Sequence, residues 1–367
     1  MLDDLLQELV ARDGSDLYVT VGSPATIAAS GRYLPAGPAH PMTQPEVEIL
    51  VRAALPAVDF EAFLGSGDAN AAYALEGSDR FRVNAFRQRG DWGMVIRRIK
   101  TDIPSLDAIG APEILKSLAL ERRGLVLVTG ATGSGKSTTL AAMIDHRNAS
   151  VSGHIVTLED PIEFVHAHKR GLVTQREIGL DTPSYAAGLK NALRQAPSVL
   201  LVGEIRDAET AEAALHFAET GHLVLATLHS TNANQTLKRV MNLFPPAAER
   251  NVLHQLSLNL RAVVSQRLLV RKDGVGRVPA VEVLMNTPRC ADLIKAGEIE
   301  ALKDAMLQGV GEGSITFDSS LHALFMEDRI TEDVALAAAD SPNDLRLRIR
   351  LEAGSARPST GIRIVGR

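Results

Sequence analysis

Residues 130–137 have the residue types and the spacing of a phosphate-binding loop. They read G-A-T-G-S-G-K-S and match the pattern G-x-x-x-x-G-K-[ST] at each fixed position. Glycines let such a loop curl so that its backbone N–H groups point at phosphate oxygens, and the lysine ammonium reaches the β- and γ-phosphates. The nucleotide-binding residues that this pattern predicts are Gly130, Ala131, Thr132, Gly133, Ser134, Gly135, Lys136, Ser137 and Thr138.

The sequence on both sides of the loop also has the expected form. A buried strand is predicted over residues 125–129 and a helix over residues 137–146, so the loop joins a strand to a helix N-terminus. A glycine-rich turn that binds nothing is therefore the weaker interpretation. A guanine-reading N-K-x-D element does not occur in the sequence, which favours ATP, with Mg²⁺ bound by the hydroxyl of Ser137.

Two acidic clusters follow predicted strands, where open α/β sheets place their active sites. Glu204 follows the strand predicted over residues 199–202, after Gly203, which we expect to allow a sharp turn. The second cluster, residues 159–164, reads E-D-P-I-E-F and ends with the candidate carboxylate Glu163. Helix capping and solvated charge are the alternative interpretation. Beside an intact phosphate loop, a role in hydrolysis is favoured, because hydrolysis needs an acid near Mg²⁺ and a group that positions water.

Histidines and arginines supply further candidates. His222 and His229 bracket a predicted strand at a spacing of seven, which places them on opposite faces of an extended chain and does not suit a metal pair. They are candidates for sensing nucleotide state, or else ordinary capping residues. Residues 80–100 contain six arginines and one lysine, and Arg80 and Arg82 share one strand face. Such a cluster can neutralise charge on a γ-phosphate, or it can form a solvated or nucleic-acid-binding face.

The hydrophobic pattern indicates an α/β protein with a smaller α+β domain in front. Apolar runs alternate with helices beyond residue 120, which is typical of a parallel sheet covered on both faces. In the first hundred residues, helical spacing over 2–12 and 44–55 accompanies strand patterns within 16–34, 80–86 and 93–99. The predicted parts are an N-terminal domain at 1–100, a linker at 101–120, an ATPase core at 121–288, a helical region at 289–352 and a disordered tail at 353–367.

Composition limits the class of protein. The chain has 367 residues, with 39 basic and 44 acidic side chains and a net charge of −5, which does not favour a nucleic-acid binder. Its single cysteine excludes an intrachain disulfide and a cysteine-rich zinc site, and it fits a reducing cytoplasm. The acidic, amphipathic N-terminus predicts no secretory signal, and no apolar run is long enough for a membrane helix. We therefore expect membrane contact only through partners.

Several of these segments together resemble the PilT/PilU family of type IV pilus retraction ATPases, within the secretion and pilus motor ATPases. Residues 193–207 are similar to the family's signature around its Walker B strand. Residues 159–164 are similar to its Asp box, and residues 219–229 to its His box. Residues 80–86, with Arg97, resemble the arginines of its N-terminal domain. The motifs occur in the family's order, and the resemblance covers residues 1–351.

The resemblance implies a fold and a set of roles. It implies a RecA-like core with a PAS-like N-terminal domain, assembled into a homohexameric ring with ATP bound between the domains. Glu204 is then the acid near Mg²⁺, a metal ligand together with Ser137, and Glu163 is the water activator. Arg82 and Arg97 stabilise charge, and His222 and His229 belong to the catalytic constellation.

Within the family, the sequence resembles the PilU branch more than the PilT branch. Residues 289–294 read R-C-A-D-L-I, which keeps only the last two positions of the A-I-R-N-L-I motif of PilT proteins. The absence of a long N-terminal region and of a four-cysteine zinc site favours retraction over assembly. The resemblance thus implies a motor for pilus retraction and twitching motility at the cytoplasmic face of the inner membrane. Its implied partners are a PilT-type ATPase and an inner-membrane platform protein, with no nucleic acid. A non-hydrolysing regulatory ring component and an assembly or secretion ATPase remain the alternatives.

Overall fold

The computed structural model describes residues 1–29, 32–75, 80–99 and 101–355. The chain divides into two compact units. The first, called the N-terminal unit, contains Met1–Asp102 together with the short segment Ile162–Val165. The second, called the core unit, contains Ile103–Pro161 and the chain from His166 onward.

The N-terminal unit is an antiparallel sheet with helices. Its helices are α1 (Leu2–Ala11), α2 (Gln44–Ala54) and α3 (Ala57–Ser66). Its strands are β1 (Asp16–Thr20), β2 (Thr26–Ala29), β3 (Arg32–Pro35), β4 (Asp68–Ala74), β5 (Arg80–Gln88) and β6 (Asp91–Ile99). Within the described ranges these strands form one sheet in the order β3-β2-β1-β6-β5-β4, with antiparallel pairing throughout.

Hydrophobic periodicity explains why these elements form. The leucines of α1 recur at helical spacing and are buried, and the alternate residues Phe81, Val83 and Ala85 of β5 are 0% exposed. The side chain of Phe63 packs edge-on against Trp92 with the ring centroids 4.9 Å apart. The sequence prediction of α1, α2, β5 and β6 is confirmed to within two residues at most ends.

The core unit alternates strands with helices and ends in a run of helices. Its strands are β7 (Gly124–Gly130), β8 (His154–Glu159), β9 (Leu172–Glu177), β10 (Val199–Val202), β11 (Leu223–Leu228), β12 (Leu260–Val270) and β13 (Arg277–Met285). Its helices are α4 (Ile114–Ala119), α5 (Lys136–Ser150), α6 (Tyr185–Ala192), α7 (Ala208–Glu219), α8 (Ala233–Asn242), α9 (Glu249–Asn259), α10 (Pro288–Ala296), α11 (Leu302–Gln308), α12 (Phe317–Met326), α13 (Glu332–Ala338) and α14 (Pro342–Ser355).

The strands of the core unit form a mostly parallel sheet, which confirms the predicted α/β fold class. In the described chain the order is β13-β12-β7-β11-β10-β8-β9, and only β13 pairs antiparallel to its neighbour. Every residue of β7, β10 and β11 is buried, as expected for strands covered on both faces. The carboxyl ends of β7, β11, β10 and β8 therefore follow one another along one sheet edge.

The segment predicted to be a linker, residues 101–120, is largely packed into the core unit, contrary to expectation. Leu115 and Leu118 lie on one face of α4 and are buried, as is Leu106 before it. The guanidinium of Arg147 donates hydrogen bonds to the carbonyl oxygens of Ala119 and Glu121 at 2.9 and 2.7 Å. The prolines and the glycine of this segment therefore form turns in an ordered connection rather than a flexible linker.

The C-terminal region is helical, as predicted for residues 289–352. Phe317 and Leu321 of α12 are buried in a cluster with Val278 and Ala280 of β13, so these helices extend the core unit. The predicted disordered tail begins inside α14, which ends at Ser355, and the remaining residues 356–367 lie outside the described residues. In the described ranges, no helix combines the length and the apolar character that a membrane crossing requires.

Candidate nucleotide-binding site

The phosphate loop joins β7 to α5 through glycines that other residues could not easily replace. Gly130, Gly133 and Gly135 all have positive φ, at 149°, 77° and 90°. A Cβ atom on Gly130 would lie 2.4 Å from the hydroxyl oxygen of Ser134 and 2.6 Å from the carbonyl oxygen of Gln266. The loop can curl this tightly only because those positions lack a side chain.

The loop carries buried polar groups suited to an anion. The ammonium of Lys136 donates to the carbonyl oxygens of Gly130 and Ala131 at 3.0 and 3.1 Å, and this side chain is 9% exposed. The hydroxyl of Ser134 is buried without a hydrogen-bond partner. The N-terminus of α5, a helix of 15 residues, begins at Lys136 and adds backbone donors and a favourable dipole. This chemistry fits a nucleotide phosphate chain.

A cavity of about 320 Å³ opens beside the loop. Its walls come from the loop, from the segment after β11 and from the hairpin of β12 and β13. The lining residues are Ala131, Thr132, Gly133, Ser134, Thr231, Gln266, Arg267, Leu268 and Arg277. A concave, partly cationic space against a phosphate loop is a suitable place for part of a nucleotide.

Glu204 follows β10 and lies beside His229, which follows the neighbouring strand β11. The His229 Nε2 atom is 3.3 Å from Glu204 Oε1, and the Glu204 side chain is only 14% exposed. The structure therefore brings Glu204 and His229 together at the sheet edge that also carries the phosphate loop. A carboxylate and the hydroxyl of Ser137 are oxygen ligands of the type that Mg²⁺ prefers, so these residues fit that ion.

Arg206 completes this group and was not predicted as a site residue. Its Nε donates to Glu204 Oε2 at 2.7 Å, and its Nη1 lies 3.4 Å from Asp160 Oδ2 after β8. The hydrogen bond to Glu204 is the main reason that the pKa of Arg206 is raised. Glu159, at the end of β8, accepts from Thr157 Oγ1 at 2.6 Å. The available sequence signal was that Arg206 comes two residues after a candidate acid.

Gly203 has a different role from the one that the sequence suggested. Its φ lies outside the left-handed region, so its conformation does not require glycine. A Cβ atom here would instead lie 2.9 Å from the hydroxyl of Tyr185 and 3.0 Å from the carbonyl oxygen of Leu158. Close packing between β10, β8 and α6 therefore requires glycine before Glu204.

His222, which was also predicted as a member of the catalytic group, does not lie with Glu204 within this chain. It precedes β11, whereas His229 follows this strand, and six extended residues separate the two by about 20 Å. The ring of His222 packs edge-on against Phe217, and its Nδ1 lies 3.1 Å from the Phe217 carbonyl oxygen. Within this chain, His222 is thus a packed polar residue at the opposite sheet edge.

The other predicted catalytic residues belong to the N-terminal unit. Arg82 on β5 pairs directly with Arg97 on β6, which places both on one face of the sheet. The Nε of Arg97 donates to Asp16 Oδ1 at 2.7 Å. This bond is the main reason that the pKa of Arg97 is raised, and the charge of Glu163 adds to it. Glu163 lies in the segment Ile162–Val165, so it groups with the arginines rather than with Glu159 and Asp160.

Known proteins resemble this chain over nearly its whole length. Residues 2–305 match the family of type II/IV secretion system proteins. The type IV pilus ATPase PilU of Pseudomonas aeruginosa is 48% identical over 96% of this chain and 92% of its own length. The type IV pilus retractation ATPase PilT of Pseudomonas aeruginosa is 39% identical over 94% of this chain and 99% of its own. The solved structure of the pilus retraction motor PilT with bound ADP has a TM-score of 0.87 at 35% identity, covering 94% of this chain and 98% of that one.

The similarities to PilU, to PilT and to the PilT structure each cover at least 94% of the chain and therefore include residues of both units. The agreement with the PilT structure confirms a RecA-like ATPase core preceded by an N-terminal domain. The chain therefore belongs to the family of type II/IV secretion system proteins, in the PilT/PilU group of type IV pilus retraction ATPases.

Proposed function

We propose that this protein hydrolyses ATP and uses the energy to power retraction of type IV pili. The observation that carries this proposal is the alignment of the phosphate loop, His229 and Glu204 at the ends of three neighbouring parallel strands. A site of this form binds a nucleotide and also holds an acid where the terminal phosphate reacts. The similarity to PilU and PilT supports the coupling to pili.

In the proposed mechanism, the loop N–H groups and the ammonium of Lys136 bind the phosphate chain of ATP. Ser137 and Glu204 would hold Mg²⁺, which neutralises charge on the β- and γ-phosphates. Arg206 and His229 orient the Glu204 carboxylate. Glu163 would accept the proton of the attacking water.

Arg82 and Arg97 would stabilise the charge that develops on the γ-phosphate. Their supply from the separate N-terminal unit would make hydrolysis depend on the arrangement of the units. Turnover would then be coupled to their relative movement, as a motor requires. The same supply could occur between neighbouring subunits of the homohexameric ring that we propose.

The finer assignment is an accessory motor of the PilU type that acts with a PilT-type partner at an inner-membrane platform protein. Identity is higher to PilU than to PilT, at 48% against 39%. In α10, the two residues that are shared with the PilT motif, Leu293 and Ile294, are buried, whereas Arg289 and Asp292 are exposed. The differences thus include the accessible face, which supports a different partner surface. We place the protein at the cytoplasmic face of the inner membrane.

The first test measures ATP turnover by the purified chain with Mg²⁺. Lys136→Ala should lower kcat by at least about 100-fold, because the γ-phosphate loses its ammonium contact, while the far-UV circular dichroism spectrum stays unchanged. Lys116→Ala, which removes ion pairs with the exposed carboxylates of Asp107 and Glu113, is the matched control and should retain turnover. A wild-type chain that binds ATP but does not turn it over, alone or with a PilT-type partner, would support the regulatory ring component instead.

The same variant tests the link to pili in cells. Deletion of the gene should leave more surface pili and impair twitching, and the wild-type chain but not Lys136→Ala should restore movement. Loss of pili on deletion would indicate an assembly ATPase and would contradict the proposed direction.

A further inference from the structure

Glu282 is a buried carboxyl group in the core unit that the proposed mechanism does not use. It lies on β13 and is 4% exposed. Its Oε1 accepts a hydrogen bond from the backbone N–H of Ala233 at 2.7 Å, and this residue is the first of α8. Ala233 is itself buried, so Glu282 is the acceptor for a donor that water does not reach.

The beginning of α8 is also connected to the phosphate loop through buried hydroxyl groups. Thr236 Oγ1 donates to the carbonyl oxygen of Asn232 at 2.7 Å and lies 2.7 Å from the hydroxyl of Ser230. The same atom contacts Thr129 Oγ1 at 3.3 Å, and Thr129 immediately precedes Gly130 of the loop. Residues 229–232, which begin with His229, are thus held between Glu282 on one side and the end of β7 on the other.

Ser265 links the carboxyl group to this network. It is the direct cross-strand partner of Glu282, and Thr129 is its partner on the other side. Thr129 Oγ1 donates to Ser265 Oγ at 3.1 Å. Glu282, Ser265 and Thr129 therefore form one row across three strands, directly behind the phosphate loop.

The hydrogen bond, rather than the charge, is the feature that this site preserves near neutral pH. Burial raises the pKa of Glu282 to about 7, and the charges that face it are those of Asp340 and Arg267, which pair with each other at 2.8 Å. Both the neutral and the ionised carboxyl group offer an oxygen to Ala233. The contact thus persists across the pH range in which the group titrates.

We propose that Glu282 is a positioning residue for nucleotide hydrolysis, which holds the start of α8 so that His229 stays against Glu204. This inference rests on the proposed ATPase function. Without the carboxyl group, the N–H of Ala233 would be buried and unsatisfied, and residues 229–232 would shift to satisfy it. A displacement of about 1 Å at a reacting group can cost about 100-fold in rate, so a distant acceptor can matter this much.

The test compares two substitutions of Glu282 in the full chain. Glu282→Leu removes the acceptor at similar volume and should lower kcat for ATP at least about tenfold, with KM changed less than about threefold. Glu282→Gln keeps a carbonyl oxygen for Ala233 and should retain kcat within about twofold. Thr287→Val is the matched control, because it removes a buried helix cap, the bond from Cys290 N–H at 3.3 Å on α10, away from the loop. It should lose stability without losing kcat.

A second variant tests the same bond from the donor side if Glu282→Leu does not fold. Ala233→Pro removes the N–H at the first position of α8, and the preceding Asn232 is already extended at φ −159° and ψ 175°, as a residue before proline requires. Because this N–H donates to Glu282 at 2.7 Å, the proline ring also displaces the carboxyl group, so the bond is lost completely. It should reproduce the loss of kcat. In a His229→Ala background, Glu282→Leu or Ala233→Pro should lower kcat by less than about a further twofold, because both substitutions act through that histidine.

Wild-type kcat in Glu282→Leu, or in Ala233→Pro if Glu282→Leu does not fold, would overturn the positioning role, and so would losses that multiply fully with His229→Ala. The proposed function fails by a different result, the absence of turnover in the wild-type chain.

Discussion

Individual side chains at the site gain their roles from the strand ends that carry them. Lys136 was predicted from the phosphate-loop pattern, and Glu204 was predicted because it follows an apolar run with the character of a buried strand. The catalytic role of His229 was implied by the family resemblance. Arg206 was not predicted. Its guanidinium points toward Glu204 and Asp160, and this direction depends on the tertiary structure. Glu282 was missed for the same reason, since its partner Ala233 is 49 residues away in the chain.

Arg206→Ala should lower kcat by about tenfold with little effect on folding. The Glu204 carboxylate loses the donor that holds one of its oxygens at 2.7 Å and becomes free to adopt other rotamers. Steady-state ATPase kinetics measure the effect.

Arg271→Ala provides the comparison for this variant. It removes an exposed arginine after β12 that pairs with Asp273 at 3.5 Å and does not line the cavity beside the loop, so it should keep the wild-type kcat. Equal turnover by the two variants would show that Arg206 does not orient the acid.

At the scale of helices and strands, the elements that the sequence predicts well are those that are buried on one face or on both faces, because each case leaves a simple apolar pattern. Helix and strand type were predicted correctly for α1 from its leucine face, for β5 from its alternation, and for β7, β10 and β11 from their continuous apolar runs. The parallel arrangement followed from the alternation of those runs with helices.

The elements that were not predicted depend on contacts distant in the chain. Strand β4 reads D-A-N-A-A-Y-A, a sequence rich in alanine with weak strand propensity, and it forms by pairing with β5. The hairpin of β12 and β13 contains the polar residues Ser265 and Glu282 inside the core. Each of them accepts a hydrogen bond from another element of the core unit. Helix α4 was not predicted, because the prolines and glycines near it indicate a linker.

Gly203→Ala should destabilise the core unit by about 1–3 kcal/mol, because its Cβ would lie within 3.0 Å of both the Tyr185 hydroxyl and the Leu158 carbonyl oxygen. Urea denaturation followed by circular dichroism measures the loss. Gly311→Ala is the control, since its Cβ meets no atom within 4 Å, and its stability should change by less than about 0.5 kcal/mol. Two variants of equal stability would contradict the packing argument.

For the molecule as a whole, buried titratable groups predict how stability depends on pH. His166 is 9% exposed, and burial lowers its pKa to about 4. Between pH 6.5 and 4 the unfolded chain protonates this imidazole while the folded chain leaves it neutral, so stability falls as the pH falls through that window. The loss can reach about 3 kcal/mol. His166→Gln should therefore show a flatter decline than the wild type in urea denaturation at pH 7 and pH 5.

The choice of signal matters in this measurement. Trp92 is the single tryptophan of the chain and lies in the N-terminal unit against Phe63, so its fluorescence follows that unit. His166 belongs to the core unit, and circular dichroism detects the helices there. Glu282, whose pKa is raised to about 7, gives the opposite slope in both chains, so the difference between them isolates His166. Identical slopes would show that the imidazole is not held neutral.

The division of the chain has a mechanical consequence. Residues 1–102 are continuous, but the N-terminal unit also includes Ile162–Val165, whose flanking residues Pro161 and His166 belong to the core unit. No single cut can release a complete N-terminal unit, and a fragment ending at Asp102 would lack Glu163. The chain passes between the two units at three points, and two of these points flank the four residues Ile162–Val165. Glu163 thus belongs to one unit while Glu159 and Asp160, only a few residues earlier, belong to the other.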